Sequence, residues 1–182
     1  TTNANHNIAI GYQAMHGNIG TDDVDFCVAI GSFALEGGLA STAGGNIAIG
    51  FNTLAANTDG GGNIAVGYRA GQSITTSNYN IAIGSGSLAT MATGNGANVA
   101  IGTEVMHIAA NGANDNTAVG HRAMRDANHD DASQNVAIGS NAGRTLTEGG
   151  KNVFVGNEAG TTVEHADKNV IVGSESNVST AN

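Results

Sequence analysis

The chain has 182 residues, of which 28 are glycine and none is proline or tryptophan, a composition that excludes collagen-like and proline-rich sequences and disfavours a helix-rich fold. Its formal net charge is −9, so it lacks the basic surface that nucleic acid or anionic lipid would need. No run of 18 or more apolar residues occurs, and we therefore expect no membrane insertion.

A pentapeptide recurs ten times along the chain. It first appears as NIAIG, which ends at Gly11, and last as NVIVG, which ends at Gly173. The intervals between motif glycines are 17 to 20 residues and average 18, which is shorter than helical repeats of about 33 to 47 residues. The motif is also rich in β-branched residues. The sequence therefore predicts an all-β fold, a parallel β-solenoid of ten coils that forms a single repeat domain over residues 1–182.

Alternate residues of each motif should point to opposite faces of a strand. We predict that the aliphatic residues on either side of the central position point into the coil, and that the central residue faces away from the core. A column of small residues lets two backbones approach closely and would have no purpose on the surface of a monomer. The predicted seam between subunits is therefore Ala9, Ala29, Ala48, Ala65, Ala82, Ala100, Ala118, Ala137, Phe154 and Ile171.

The motif glycine should turn the chain at a corner, with a positive φ, and bring another inward position four residues later. In three coils this position is glycine, and an aliphatic residue follows three residues further on as Ile74, Leu146 or Val163. We expect these residues to restore the core volume. In six other coils the position holds Met15, Leu35, Leu54, Leu88, Met106 and Met124.

A polar column precedes each motif glycine by four residues. Stacked coils would align its amides so that hydrogen bonds run from coil to coil and satisfy backbone groups at the turns. The predicted ladder is Asn7, Cys27, Asn46, Asn63, Asn80, Asn98, Asn116, Asn135, Asn152 and Asn169. We interpret Cys27 as a small substitute for asparagine rather than as a nucleophile.

The repeats carry a resemblance to known families. NIAIGYQAM at 7–15 and NIAVGYRAG at 63–71 resemble bacteriophage tail-fibre repeats that read NTAIGYQAL, and the wider pattern N-[IV]-A-[IV]-G-x-x-[AST] resembles the head repeats of trimeric autotransporter adhesins. The resemblance implies left-handed coils, a homotrimer, and a location outside the cell, on a cell surface or a virion tail fibre. It also implies a structural or adhesive role without enzymatic activity, with a host-surface glycan or protein as receptor. We expect no catalytic residue, no metal site and no cofactor.

Aromatic residues follow the motif glycine in the first four coils and in none of the later ones. Rigid aromatic faces can stack on sugars or anchor a protein receptor. The alternative is that these rings pack across the seam between subunits. The candidate binding residues are Tyr12, Phe33, Phe51, Tyr68 and the neighbouring Arg69.

An enzymatic function is an alternative. The pattern [IV]-G-x-x-[ASTV]-x resembles the hexapeptide repeat of left-handed β-helix acyltransferases, although it fits only one side of each coil and the six histidines fall at different coil positions.

The two ends of the array would also continue the repeat in register. This predicts either a segment of a longer fibre or a subunit that stacks end to end in an extracellular filament.

A calcium loop is a further hypothesis. Asp126, Asn128 and Asp130 have the spacing that opens such a loop. Asp131 and Ala137 stand where the glycine and the glutamate of a complete loop would be, so extra solvated loop residues explain the cluster equally well.

Overall fold

A computed structural model of the chain describes residues 5–18, 24–40, 42–94, 96–109, 112–165 and 167–177. Each repeat contributes one strand of three residues, and a short 3₁₀ helix lies at His16–Asn18. Within the described residues, no helix is long and apolar enough to cross a membrane. The strands are β1 (Ile8–Ile10), β2 (Val28–Ile30), β3 (Ile47–Ile49), β4 (Ile64–Val66), β5 (Ile81–Ile83), β6 (Val99–Ile101), β7 (Thr117–Val119), β8 (Val136–Ile138), β9 (Val153–Val155) and β10 (Val170–Val172).

The ten strands form one parallel sheet in chain order from β1 to β10. Neighbouring strands are in register, so that the central residue of one lies beside the central residue of the next, as Ala82 lies beside Ala100. A parallel pair needs a return path between its strands, and here each return path is the remainder of one repeat. The prediction of a parallel β-solenoid with ten coils is therefore confirmed.

The motif glycine turns the chain at the end of each strand. All ten of these glycines have φ between 126° and 136°, which confirms the predicted corner. A Cβ added to Gly102 would lie 2.5 Å from the carbonyl oxygen of Gly120 in the next coil. Both the positive φ and the close approach of successive coils require glycine at this position.

Residues other than glycine also adopt the left-handed backbone conformation in the rest of each coil. In the sixth coil Ala97, Glu104 and Met106 have φ of 56°, 55° and 45°. The N–H of Glu104 donates to the carbonyl of Ser85 in the preceding coil, and that of Met106 donates to the carbonyl of Ala123 in the next. These axial hydrogen bonds satisfy the backbone and offset the cost of the left-handed conformation.

The inside of the coil holds the small residue of each strand, contrary to the prediction. Central residues from Ala29 to Ala137 are at most 1% exposed, whereas Ile83, next to Ala82, is 37% exposed. The prediction that the central column faces away from the core and forms the seam is therefore wrong. The buried column is Ala29, Ala48, Ala65, Ala82, Ala100, Ala118, Ala137, Phe154 and Ile171, and Ala9 is exposed in the first coil.

The physical reason is that the interior is only one side chain thick. A Cβ added to Gly71, on the wall opposite the strand, would lie 3.7 Å from the Cβ of Ala65. In most coils long side chains from the opposite wall fill the remaining space, which leaves room for only an alanine on those strands. These side chains are buried as predicted: Met15, Leu35, Leu54, Leu88, Met106 and Met124.

Larger residues compensate where the opposite wall has glycine. A Cβ added to Gly71 would lie 3.1 Å from Cδ1 of Ile74, and one added to Gly143 would lie 2.7 Å from the ring of Phe154. Phe154 also packs over Gly160. The Phe154 ring therefore fills core volume in two coils and does not widen an outer seam. The predicted compensating residues are buried: Ile74, Leu146 and Val163.

Candidate functional site

The asparagines form a continuous hydrogen-bonded ladder along the solenoid. Oδ1 of Asn46 accepts the backbone N–H of Asn63 at 2.8 Å, and the same contact repeats from coil to coil as far as Asn169. From Asn80 onward, Nδ2 also donates to the preceding Oδ1 at 3.0 to 3.3 Å. The ladder residues from Asn46 to Asn152 are fully buried, so their chemistry serves the fold and is closed to ligands.

Cys27 takes the place of one ladder asparagine. Its backbone N–H donates to Oδ1 of Asn7 at 2.8 Å, and its Sγ lies 3.7 Å from the carbonyl oxygen of Ala43. Burial raises the pKa of the Cys27 thiol, and the backbone N–H groups of Asn46 and Gly45 oppose this effect. A buried, protonated thiol is a poor nucleophile, which is consistent with a structural role.

The four corner aromatics stand in one row on the outer surface, named here the aromatic row (Tyr12, Phe33, Phe51 and Tyr68). Neighbouring ring centroids are 5.4 to 5.7 Å apart, and the last two rings are stacked with an interplanar angle of 11°. The guanidinium of Arg69 lies over the Tyr68 ring, 5.0 Å from its centroid, in a cation–π contact. The structure thus brings all five candidate binding residues together.

The aromatic row ends at a gap in the fifth coil. The two residues after the motif glycine there are Ser85 and Gly86, a smaller pair than in any other coil. A groove with a volume of about 390 Å³ opens at this point. We name it the Gly86 groove, and its walls and floor include Tyr68, Arg69, Ser85, Gly86, Glu104 and His107.

The wall of the groove opposite Tyr68 carries a paired carboxylate. Oε2 of Glu104 lies 2.7 Å from Nε of Arg122 and 3.9 Å from Nε of Arg125. The hydrogen bond from Arg122 holds the pKa of Glu104 below its ordinary value. In the described part of the chain, by contrast, no carboxylate forms an ion pair with Arg69. The groove therefore offers a guanidinium without an acidic partner next to an exposed aromatic ring.

The outer face of the sheet is a second surface, which the sequence reasoning missed. We call it the sheet face, and it consists of the first and third residues of all ten strands. Of these twenty residues 19 are isoleucine or valine and the other is Thr117. Ile49, Ile83, Ile101 and Ile138 are 37 to 43% exposed. The sequence does show that the ladder asparagine and the central alanine are two residues apart and share one face, with the aliphatic residues on the other.

The predicted calcium residues do not form a chelating group. Oδ1 of Asp126 pairs with Nη1 of Arg125 at 3.1 Å, and Oδ1 of Asp130 accepts the backbone N–H of Gly112 at 3.0 Å. Over the residues that the structure describes, no three His, Cys, Asp or Glu side chains are arranged to hold a metal ion.

Two histidines flank one glutamate in the last coils. Glu148 lies 3.8 Å from Nε2 of His129 and 3.1 Å from Nδ1 of His165. All three side chains are 45 to 62% exposed, and ion pairs at this exposure contribute little to stability. This arrangement spans three successive coils, and among the described residues no ion pair forms at the other histidines, His6, His16, His107 and His121.

Comparison of the chain with protein-family models, curated proteins and solved structures gives no match. The tail-fibre and adhesin interpretation therefore stays a prediction from the repeat motif.

Proposed function

We propose that the chain is a non-enzymatic structural and attachment module that assembles with copies of itself through the sheet face. The observation that carries the proposal is the aliphatic surface of this face. It extends over ten strands, a length of about 43 Å at the usual strand spacing. The largest apolar patch on a typical monomer is about 300–600 Å² and often functional, and burial against another protein would remove this one from water.

A second copy of the same chain is the partner that fits best. The sheet face contributes twenty residues, within the range of about 20–30 residues per side in a standard interface. It contains no charged residue, so two such faces would meet without burying an unpaired charge. A symmetry axis parallel to the solenoid would place each coil beside the same coil of the next copy, because every strand has the same direction and spacing.

We propose three copies, in keeping with the resemblance to trimeric adhesin heads and tail-fibre repeats. Each copy would turn one aliphatic column of its sheet face to each of its two neighbours. The aromatic row follows the glycine corner and lies beyond these columns, so it would face outward and be available for a receptor on another surface. The proposed location is outside the cell, on a cell surface or a virion.

The molecular mass in solution tests this proposal. The parent should sediment with three times the chain mass of 18.0 kDa. Ile83→Asp should dissociate the assembly, because the interface would then bury an unpaired charge. Gln134→Asp is the matched control, since Gln134 is exposed outside the sheet face and Asp115 occupies the equivalent left-handed position of another coil. A monomeric parent, or an Ile83→Asp variant that keeps the parent mass, would contradict the proposal.

A further inference from the structure

We propose that the Gly86 groove binds an acidic sugar residue of a surface polysaccharide, with the sugar carboxylate on Arg69 and the sugar ring against the exposed edge of Tyr68. This inference rests on the attachment role proposed above and assigns one ligand class to one place on the surface. Three features carry it: the single-coil gap at Gly86, the supported aromatic ring, and the guanidinium without an acidic partner.

The gap has the size of a ligand site. The second residue after the motif glycine is glycine in the fifth coil, whereas the two neighbouring coils have Arg69 and Glu104 at this position. The missing side chain opens a slot one coil wide between two walls. Its volume of about 390 Å³ lies within the range of about 300–1,000 Å³ for small-molecule sites.

The Tyr68 wall is suited to a sugar ring. Tyr68 is 51% exposed and is supported by the stacked ring of Phe51. Because the Arg69 guanidinium also lies over this ring, a sugar would contact the exposed edge and the hydroxyl of Tyr68, and little side-chain entropy is lost when a ligand binds to such a rigid ring. Gln72 and Thr90 also line the groove and can form hydrogen bonds with sugar hydroxyls.

Arg69 supplies the preference for an acidic sugar. Its planar guanidinium matches a carboxylate with two parallel hydrogen bonds, and the cation–π contact with Tyr68 holds it in place before binding. Across the groove, Glu104 is ionised and paired with Arg122, so it would repel a ligand carboxylate and accept hydrogen bonds from sugar hydroxyls. The two walls thus give the ligand a defined orientation.

Two oligosaccharides that differ in charge test the ligand class. The parent protein is titrated with trigalacturonate and with galactotriose by isothermal calorimetry. We expect trigalacturonate to bind at least tenfold more tightly, and this advantage to shrink as the salt concentration rises. Equal binding of the two probes, or binding of neither, would overturn the proposal.

A substitution that fills the Gly86 groove tests whether the sugar binds there. Gly86→Asn is suitable because Asn52 and Asn141 occupy the equivalent position of other coils with φ of 58° and 55°, close to the 66° of Gly86. A Cβ at Gly86 would lie 3.2 Å from Nδ1 of His107, which is 2.8 Å from the Gly86 carbonyl oxygen, so the imidazole has to move by only a few tenths of an ångström. We expect at least a tenfold loss of trigalacturonate binding with the molecular mass unchanged and the free energy of unfolding lowered by no more than about 1 kcal/mol. Binding equal to that of the parent would overturn the proposed location.

The role of the guanidinium has its own pair of variants. Arg69→Gln should abolish the preference for trigalacturonate over galactotriose, whereas Lys168→Gln, which removes the same charge from an exposed position far along the chain, should preserve it. A preference that persists in Arg69→Gln, or is lost equally in both variants, would contradict the assignment. The mass of each sample separates the two proposals, because a trimer that binds neither sugar contradicts only the sugar site.

Discussion

At the scale of single residues, Asn57 is a buried polar side chain at a position that is apolar in six other coils. The equivalent position, seven residues after the motif glycine, holds Ile74, Met91 and Leu146 in other coils, all fully buried. Asn57 is also fully buried, and neither its Oδ1 nor its Nδ2 has a hydrogen-bond partner. An amide buried without partners costs about 1–3 kcal/mol.

We therefore expect Asn57→Leu to stabilise the protein. Leucine has the same number of heavy atoms, so the substitution should raise the free energy of unfolding in urea by about 1–3 kcal/mol. Asn63→Leu is the matched control with the opposite sign. It would leave the N–H of Asn80 and the carbonyl of Ser77 without their partners, at a cost of about 2 kcal/mol or more. A loss of stability in Asn57→Leu would contradict this account of the column.

Cys27 is the second position where one residue differs from its column. Cys27→Asn would supply an Oδ1 to accept the backbone N–H of Asn46, as in the rest of the ladder, so we expect a gain of about 0.5–1.5 kcal/mol at neutral pH.

The stability gained by Cys27→Asn should be larger at alkaline pH. The pKa of the Cys27 thiol is raised by burial, so above the ordinary thiol pKa of about 8.5 the unfolded chain loses a proton that the folded chain keeps. Stability of the parent must then fall as the pH rises, and the variant lacks this loss. Urea unfolding of parent and variant at pH 7 and pH 10 measures both effects. The same difference at the two pH values would contradict the pH argument.

At the scale of one coil, substitution of a motif glycine should cost more stability than substitution of Gly86. Gly102 has φ of 132° and a carbonyl oxygen 2.5 Å from any added Cβ, whereas Gly86 has φ of 66° and only the side chains of His107 and Glu104 near it. Gly102→Ala should cost at least about 3 kcal/mol, because backbone strain adds to the clash between coils. Gly86→Ala should cost only about 1 kcal/mol. Equal losses in thermal unfolding would show that successive coils can move apart at the motif glycine.

Some features of a coil could be predicted from the sequence, and others could not. Repeat length, the asparagine ladder, the glycine corner and the compensation at Ile74 could all be predicted, because each depends on spacing along the chain. The direction of the strand faces could not be taken from alternation alone, since period two separates two faces without saying which is inside. The inside depends on the distance between opposite walls, which the left-handed corners set. The Gly86 groove depends on which side chains stand beside each other in adjacent coils.

At the scale of the whole molecule, the ladder, the core and the backbone hydrogen bonds all stack along one axis. Each coil contacts only its neighbours along this axis, as in other solenoids. None of these interactions covers the sheet face, whose isoleucines Ile49, Ile83, Ile101 and Ile138 remain 37 to 43% exposed. The central claim is that this face meets the same face of another copy.

Cross-linking between engineered cysteines tests that claim most directly. In the Cys27→Asn background, Ile83→Cys treated with a short thiol-reactive cross-linker should give covalently linked chains, because an axis parallel to the solenoid brings the same coil of two copies together. Ala82→Cys, at a position that is 1% exposed in the core, and Gln134→Cys, outside the sheet face, should stay at the single-chain mass of 18.0 kDa. Single chains in the Ile83→Cys sample, or equal cross-linking of all three variants, would contradict the account.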